Sequence, residues 1–476
     1  MSERISADMC VIGAGSGGLS VAAGASQLGM RTVLIERGKM GGDCLNYGCV
    51  PSKALLAAAK RVKAVRLDGA FGLSTASPAV DFPAVMRHVH EVIAAIAPND
   101  SVERFEGMGV RVIRATARFT GPSEVTAGDA VITARRIVIA TGSAPALPPI
   151  PGLGDVPFLT NETVFENIVL PEHLIVIGGG PIGLEMAQAH RLLGARVTVL
   201  EAAHVLAKDD PELVELLVQR LTADGIDIVA GAKIRRVERQ AARLAVVIAD
   251  GAQERRIEGS HLLVAAGRRA NLAGLDLDKA GITTDERGAL VVDRRLRTTN
   301  RRVYAAGDAA GGPQFTHVAG YHAGIVIRNA LFRLPAKVDY RALPWVTYTD
   351  PELAQTGMTE AQAMAAHPGD VQVLRWPFHE NDRAQAERET HGLVKVLARR
   401  NGKVLGASML GAYAGELIQP WGVAISGGVK LSTMAGFIAP YPTLAEVNKR
   451  AAGSFFTPKL FSQRTRRVVR LLARLG

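Results

Sequence analysis

Cys44 and Cys49 lie five residues apart in GGDCLNYGCVPSKALL, residues 41–56, and Pro51 and Lys53 follow at the start of an Ala/Leu-rich helical run. Two thiols about one helical turn apart fall within the roughly 5–6 Å Cα separation that a disulfide needs. A helix N-terminus and the Lys53 ammonium both favour the thiolate, the form that attacks disulfides. The pair therefore suits dithiol–disulfide exchange. Buried, inert thiols are the plainer reading. A metal site fits less well, because two cysteines fall short of four ligands, and no metal-ligand set is assigned.

Two further segments pair glycines with a carboxylate. Residues 9–36 read MCVIGAGSGGLSVAAGASQLGMRTVLIE, and residues 174–201 read LIVIGGGPIGLEMAQAHRLLGARVTVLE. Each runs apolar strand, GxGxxG, helical stretch, second apolar strand, Glu, which is a βαβ unit. Gly13 and Gly178 allow the tight turn, Gly15 and Gly180 let the backbone approach a pyrophosphate, and Gly18 and Gly183 let helix and strand pack closely. The helix N-terminus then offers free N–H groups to phosphate. Glu36 and Glu201 each fall 23 residues after the first glycine, where a carboxylate accepts hydrogen bonds from ribose hydroxyls. Two dinucleotide sites in one chain imply electron transfer between two cofactors. Glu201 would repel a 2′-phosphate, so NADH is the expected nicotinamide, while His204 and Lys208 just beyond keep NADPH open.

The elements that would carry these groups are legible around them. RIVIATGSAP at residues 136–145 and HLLVAAGRRAN at 261–271 read as buried strands ending in turns, and RVYAAGDAAGG at 302–312 delivers Asp308 to a glycine-rich turn. Strand C-termini are where α/β folds bind ligands. From residue 344 the texture changes to alternating strands near 371–376 and 392–410 and a helical GELIQPWGVAISGG, the pattern of a separate α+β domain.

Composition narrows the class. The 476 residues hold 56 Lys plus Arg against 45 Asp plus Glu, a formal +11 that at first suits nucleic acid. Residues 447–476 contain eight basic and no acidic residues, leaving +3 on the other 446, so a basic body is excluded and nucleic acid is not an expected partner. With 48% apolar and 21% charged residues the chain is neither disordered nor collagen-like. Three cysteines are too few for a secreted disulfide framework, the N-terminus MSERISADMCVIGAG shows an early acid and a strand pattern where a signal peptide would need an apolar core, and no stretch approaches the roughly 20 apolar residues of a membrane span. A cytoplasmic location is expected.

Taken together, these motifs resemble the flavin-dependent pyridine nucleotide disulfide oxidoreductases, the family of dihydrolipoamide dehydrogenase, glutathione reductase and mercuric reductase. The resemblance covers essentially the whole chain through GAGSGG with Glu36, GGDCLNYGCVPSK, ATGS, GGGPIGLE, AAGRRAN, AAGDAA with FTHVAG, and YPTLAE. It implies an α/β fold with two Rossmann-like dinucleotide-binding domains, for FAD and NAD(P), plus a C-terminal α+β dimerisation domain. The implied division is an FAD-binding domain in residues 1–150 and again in 271–342, an NAD(P)-binding domain in 151–270, and a dimerisation domain in 343–476.

Residue roles follow from the same resemblance. Gly13, Gly15, Gly18, Glu36, Arg37 and Gly42 would hold FAD, with Thr141, Gly142, Ser143, Gly307, Asp308 and His317 adding flavin-site contacts. Gly178, Gly180, Gly183, Glu201 and Gly267 would hold the nicotinamide dinucleotide. Lys53 would lie by the flavin N5 edge, paired with Glu185, so that its charge stabilises the reduced ring. Cys49 would be the charge-transfer thiol beside the flavin and Cys44 the interchange thiol facing substrate. Electrons would pass from NADH to FAD, open the Cys44/Cys49 disulfide and leave to an acceptor. An obligate homodimer is implied, each terminal domain contributing to its partner's active site.

Two departures sharpen the expectation. Disulfide-reducing members carry HPTLSE, whose His is the general acid/base; here Tyr441 stands in its place and Glu446 is kept. A free Tyr has a pKa of about 10 against about 6.5 for His, and loss of a general base costs a factor of roughly 100 to 10,000. Mercuric reductases also carry tyrosine near this position, but they use a C-terminal cysteine pair to hand over the metal, and this chain has no cysteine after Cys49. The expected acceptor therefore needs electrons more than protons: a metal ion, a quinone or an electrophile. One alternative is a dihydrolipoamide dehydrogenase or other small-disulfide reductase in which His379 or His391 takes over the proton work. Another is a non-catalytic flavoprotein docking through its basic tail. In that tail, at about 100° per residue, Val468, Leu471, Leu472 and Leu475 share one arc and Arg466, Arg467, Arg470 and Arg474 the opposite one. Peripheral attachment to a membrane through residues 460–475 is expected, with a solvated or dimer-packed helix as the plainer reading.

Overall fold

The strand β1, Glu3–Ile12, starts exposed and ends in the fully buried run Met9–Ile12, as a strand does when it dives into a sheet covered on both faces. This computed structural model describes residues 3–475 apart from 77, 241, 242, 252 and 287. By internal contacts the chain forms two units: residues 1–178, 192–196 and 233–338 make the first, and residues 179–191, 197–232 and 339–476 the second.

In the first unit β1 is followed by the helix α1, Ser16–Gln27, and the strand β2, Thr32–Ile35, every residue of which is buried. β1 and β2 pair in parallel from Met9↔Thr32 to Ile12↔Ile35. On its other side β1 pairs in parallel with Ala130–Ile139, which also pairs in parallel with Val303–Ala305. Three strand ends, at Ile12, Ile139 and Ala305, thus finish in register. Val11, Leu34, Ile137 and Val303 are wholly buried between them, each contributing about 2 kcal/mol of apolar burial. The helix Thr316–Ala330 packs on α1 through small residues: a Cβ at Gly17 would meet Ala319, and one at Gly24 would meet Ile327. His173–Ile177 pairs in parallel with His261–Val264, and Ile234–Gln240, Arg243–Asp250 and Gln253–Gly259 form an antiparallel meander.

The second unit contains residues 197–201 of the strand Arg196–Glu201 paired in parallel with Ile226–Ala230, with the helix Pro211–Ala223 between them in sequence. Asp210 caps that helix by accepting the Glu212 N–H. The same unit holds an antiparallel sheet in the order Pro344–Thr347, Glu352–Gly357, Val404–Gly411, Leu393–Arg399, Val371–Pro377. Its core centres on Phe378 and Trp421, whose indole N–H donates to Asn448. Lys395, buried on this sheet, is satisfied by the carboxylates of Asp210, Glu212 and Glu360, at 2.8, 2.9 and 2.5 Å.

Candidate active site

At the end of β1 the chain turns at Gly13, with φ +106°, where a Cβ would collide with the Ala140 carbonyl. A Cβ at Gly18 would in turn strike the Gly13 carbonyl, so only glycine lets α1 descend onto the turn. The N-cap of α1 is Gly15, with no side-chain cap and no acid in the first turn. Its leading N–H groups are therefore available to an anion. Glu36, at the end of β2, accepts the Ala14 N–H at 2.6 Å through one oxygen and the Gly38 N–H at 2.6 Å through the other. The carboxylate is fixed by backbone and keeps lone pairs for a ribose. Arg37 next to it is exposed.

The other two strand ends complete this cradle. After Ile139, Gly142 adopts φ +67° and the buried Thr141 hydroxyl has no protein partner, an orphan that a bound cofactor would satisfy. After Ala305, Gly307 donates its N–H to His322 Nδ1 at 3.2 Å, and the Asp308 carboxylate accepts the Ser143 hydroxyl at 2.5 Å. Burial is the main influence on Asp308 and moves its pKa upward. Arg268 ties the group together, donating to Ser143 Oγ and to the Ser143 carbonyl at 2.7 and 2.9 Å and pairing with Asp43 at 3.2 Å. Asn161 donates to the same Asp43 carboxylate at 3.0 Å. The uncapped helix start, the fixed Glu36 and the orphaned Thr141 hydroxyl fit FAD.

The cysteines belong to this unit and are anchored to its glycine turn. Gly41 donates its N–H to the Ala14 carbonyl at 2.9 Å, and a Cβ on Gly42 would press on Gly15 Cα. Cys44 lies in the short helix α2, Gly42–Asn46. The chain then breaks at Tyr47 and Gly48, and Cys49 opens a second helix, α3, Cys49–Leu67. The thiols are thus not one turn apart on a single helix; Cys49 occupies a helix N-terminus, where negative charge is favoured. Both cysteines are free thiols here. The hydrogen bond between Cys44 and Cys49, followed by burial, pushes the Cys44 thiol well above its usual range. Thr316 Oγ1, on the first residue of its helix, lies at hydrogen-bond distance, 3.4 Å, from Cys49 Sγ. Lys53 Nζ is 3.3 Å from Ser52 Oγ. The exposed His317 ring stacks on Phe315. Cys10, fully buried and pushed up to about 12, is inert.

The second glycine motif repeats two features of the first. Gly178 takes φ +116° with its Cβ position blocked by the Ala265 carbonyl, as Gly13 is by Ala140. Glu201 accepts the Gly179 N–H at 2.7 Å and the Ala203 N–H at 2.9 Å, the same two relative positions that Glu36 binds. A Cβ on Gly180 would meet open space, and Gly183 is buried in the helix Pro181–Leu193. Gly267 is exposed at φ +134°. Within its own unit the Glu201 carboxylate, fixed by two backbone N–H groups as Glu36 is, fits a ribose.

The chain matches the pyridine nucleotide-disulphide oxidoreductase family over residues 7–323 and that family's dimerisation domain over 343–452. The chain belongs to the pyridine nucleotide-disulphide oxidoreductase family. It is 38% identical to a mercuric reductase of Streptomyces lividans, over 94% of this chain and 96% of that one. It is 34% identical to a dihydrolipoyl dehydrogenase of Chlamydia muridarum, over 92% and 95%. Among solved structures it resembles a Cu(II) complex of the HOCl-induced flavoprotein disulfide reductase RclA of Escherichia coli, at 29% identity and TM-score 0.84, covering 93% of this chain and 98% of that one. The protein is an NAD(P)H-dependent, FAD-containing oxidoreductase, and its dimerisation domain supports a homodimer.

Within this pyridine nucleotide-disulphide oxidoreductase, Glu185, Tyr441 and Glu446 belong to the second unit. Glu185 is buried and accepts the Tyr348 N–H at 2.9 Å. Glu446 opens the helix Glu446–Ser454. Tyr441 is exposed, and its hydroxyl donates to Asp382 at 2.9 Å, which moves its pKa above the ordinary phenol value. His391 Nε2 lies 3.3 Å from the Leu216 carbonyl, and the His379 carbonyl accepts from Gln385. Sequence reasoning missed Thr316, Arg268, Asp43, Asn161 and His322. Arg268 and Thr316 sat inside the quoted motifs AAGRRAN and FTHVAG, so their signal was present without a stated role.

Proposed function

We propose that this enzyme carries electrons from NADH through FAD and the Cys44/Cys49 pair to a thiophilic metal ion. The observation that carries this reading is Tyr441. It stands where disulfide-reducing relatives have their histidine, and its hydroxyl gives its hydrogen bond to Asp382. A phenol so held does not exchange protons near neutral pH, whereas reduction of a small disulfide must deliver a proton to each leaving thiolate. Reduction of a metal ion needs thiolate ligands and electrons. The relatives named mercuric reductase, and the RclA structure described as a Cu(II) complex, support a metal as the acceptor class.

The chain's own residues take the following parts. Gly13, Gly15, Gly18, Glu36, Arg37, Gly42, Thr141, Gly142, Ser143, Gly307, Asp308 and His317 hold FAD, which when bound supplies the two-electron step between nicotinamide and cysteines. Lys53 would supply a positive charge to stabilise the reduced ring. Glu201, with Gly178, Gly180, Gly183 and Gly267, holds the nicotinamide dinucleotide. The Cys44/Cys49 disulfide takes up two electrons and two protons to become the dithiol. On reducing one divalent ion to the metal, or two Cu(II) to Cu(I), the dithiol closes again and releases two protons. Cys44, the interchange thiol, takes the ion.

Cys44→Ser is expected to lower metal-dependent NADH oxidation at least about 100-fold with FAD content unchanged, and Tyr441→His to raise lipoamide turnover about 10- to 100-fold. Steady-state kinetics with mercuric ion, cupric ion, a quinone and lipoamide check both. Undiminished metal reduction by Cys44→Ser, or a quinone as the preferred acceptor, would overturn the proposal.

A further inference from the structure

The helix Gln463–Leu472 buries none of its residues. Ser462 caps it by accepting the Thr465 N–H at 3.2 Å, so the element is a finished helix. Val468, Val469, Leu471 and Leu472 are 49–60% exposed, and Leu460 and Phe461 lead into it equally bare. Val468, Leu471 and Leu472 lie on one arc and Arg466, Arg467 and Arg470 on the opposite one; Arg464, in the first turn, falls within the apolar arc, so the apolar face begins after it. Residues 447–475 contain no acid. The match to the dimerisation domain ends at residue 452, before this helix begins.

We infer that this helix docks the enzyme on an anionic lipid bilayer surface. An interfacial helix sinks its apolar arc to the boundary between headgroups and acyl chains while its arginines reach lipid phosphates. Both faces of the helix then find a partner. A nucleic acid would engage the arginines and leave the leucines in water. Self-pairing of this helix with the same helix of a second copy would bring arginines against arginines. The helix contains none of the residues proposed for electron transfer, so docking and acceptor chemistry can fail independently.

The test uses the full-length, FAD-loaded dimer sedimented with phosphatidylcholine vesicles, with vesicles containing about one-third phosphatidylglycerol, and with duplex DNA. Wild-type protein should partition at least about tenfold more onto the anionic vesicles than onto neutral ones, and raised salt should weaken this. Leu471→Asp with Leu472→Asp, and separately Arg466→Gln with Arg467→Gln and Arg470→Gln, should each lower anionic-vesicle binding about tenfold or more, with NADH-dependent dye reduction unchanged. Equal vesicle binding by wild type and both variants would overturn the inference. So would DNA binding that survives the leucine changes without vesicle binding, or a dimer that dissociates on the leucine changes.

Discussion

Glu36 and Glu201 bind the same pair of backbone N–H groups relative to their motifs, and this fixes what each can offer a cofactor. A carboxylate held beside the ribose accepts from the 2′-hydroxyl and repels a 2′-phosphate. The enzyme is therefore expected to prefer NADH, and Glu201→Gln to reduce the NADH/NADPH ratio of kcat/KM by about tenfold or more. Steady-state kinetics with both nucleotides checks this, and an unchanged ratio would remove Glu201 from the ribose site. Both glutamates were legible because their distance from the glycines is set by one strand–helix–strand length. Thr316 was not: it meets Cys49 across 267 residues of chain, and no local pattern encodes such a contact. Tyr441 was legible only as a departure from a motif; its Asp382 partner lies 59 residues away and came from the fold.

At the scale of elements, periodicity found the strands, and the spacing placed the two thiols about one helical turn apart without showing that they sit on separate helices. Gly48 takes φ −126° and ψ −115° and divides α2 from α3. That break gives Cys49 a helix N-terminus of its own. The helix Thr316–Ala330 illustrates a buried polar element that hydrophobic patterning cannot reveal. Its His322 is fully buried, and desolvation lowers its pKa to about 4. The neutral ring accepts the Gly307 N–H beside Asp308. Because the unfolded chain binds the proton near 6.5 and the folded one near 4, stability is lost as pH falls through this window. The loss amounts to up to about 3 kcal/mol. Denaturant unfolding at pH 7 and pH 4 should show His322→Asn losing less over this range than wild type; an equal loss would mean that His322 is not held neutral. Lys395 is a second such case, since nothing in an alternating strand announced that Asp210, Glu212 and Glu360 would gather around it.

For the whole molecule, the sequence carried the family and the division of labour between glycines, cysteines and tail, because each is a local motif with a fixed spacing. The grouping of the chain into two contact units was less legible: residues 179–191 and 197–232 fall with the antiparallel sheet, and the meander of residues 234–259 with the first unit. Such grouping is decided by side-chain contacts between distant segments. The formal +11 likewise divides into a nearly balanced body and a basic stretch over residues 447–476. The enzyme's acceptor is the central claim, and competition between two acceptors tests it most directly. With saturating NADH and wild-type enzyme, kcat/KM for mercuric ion should exceed that for lipoamide by about 100-fold or more, the lower bound on what a missing general base costs disulfide reduction. Lipoamide reduced as efficiently as the metal ion would contradict the account.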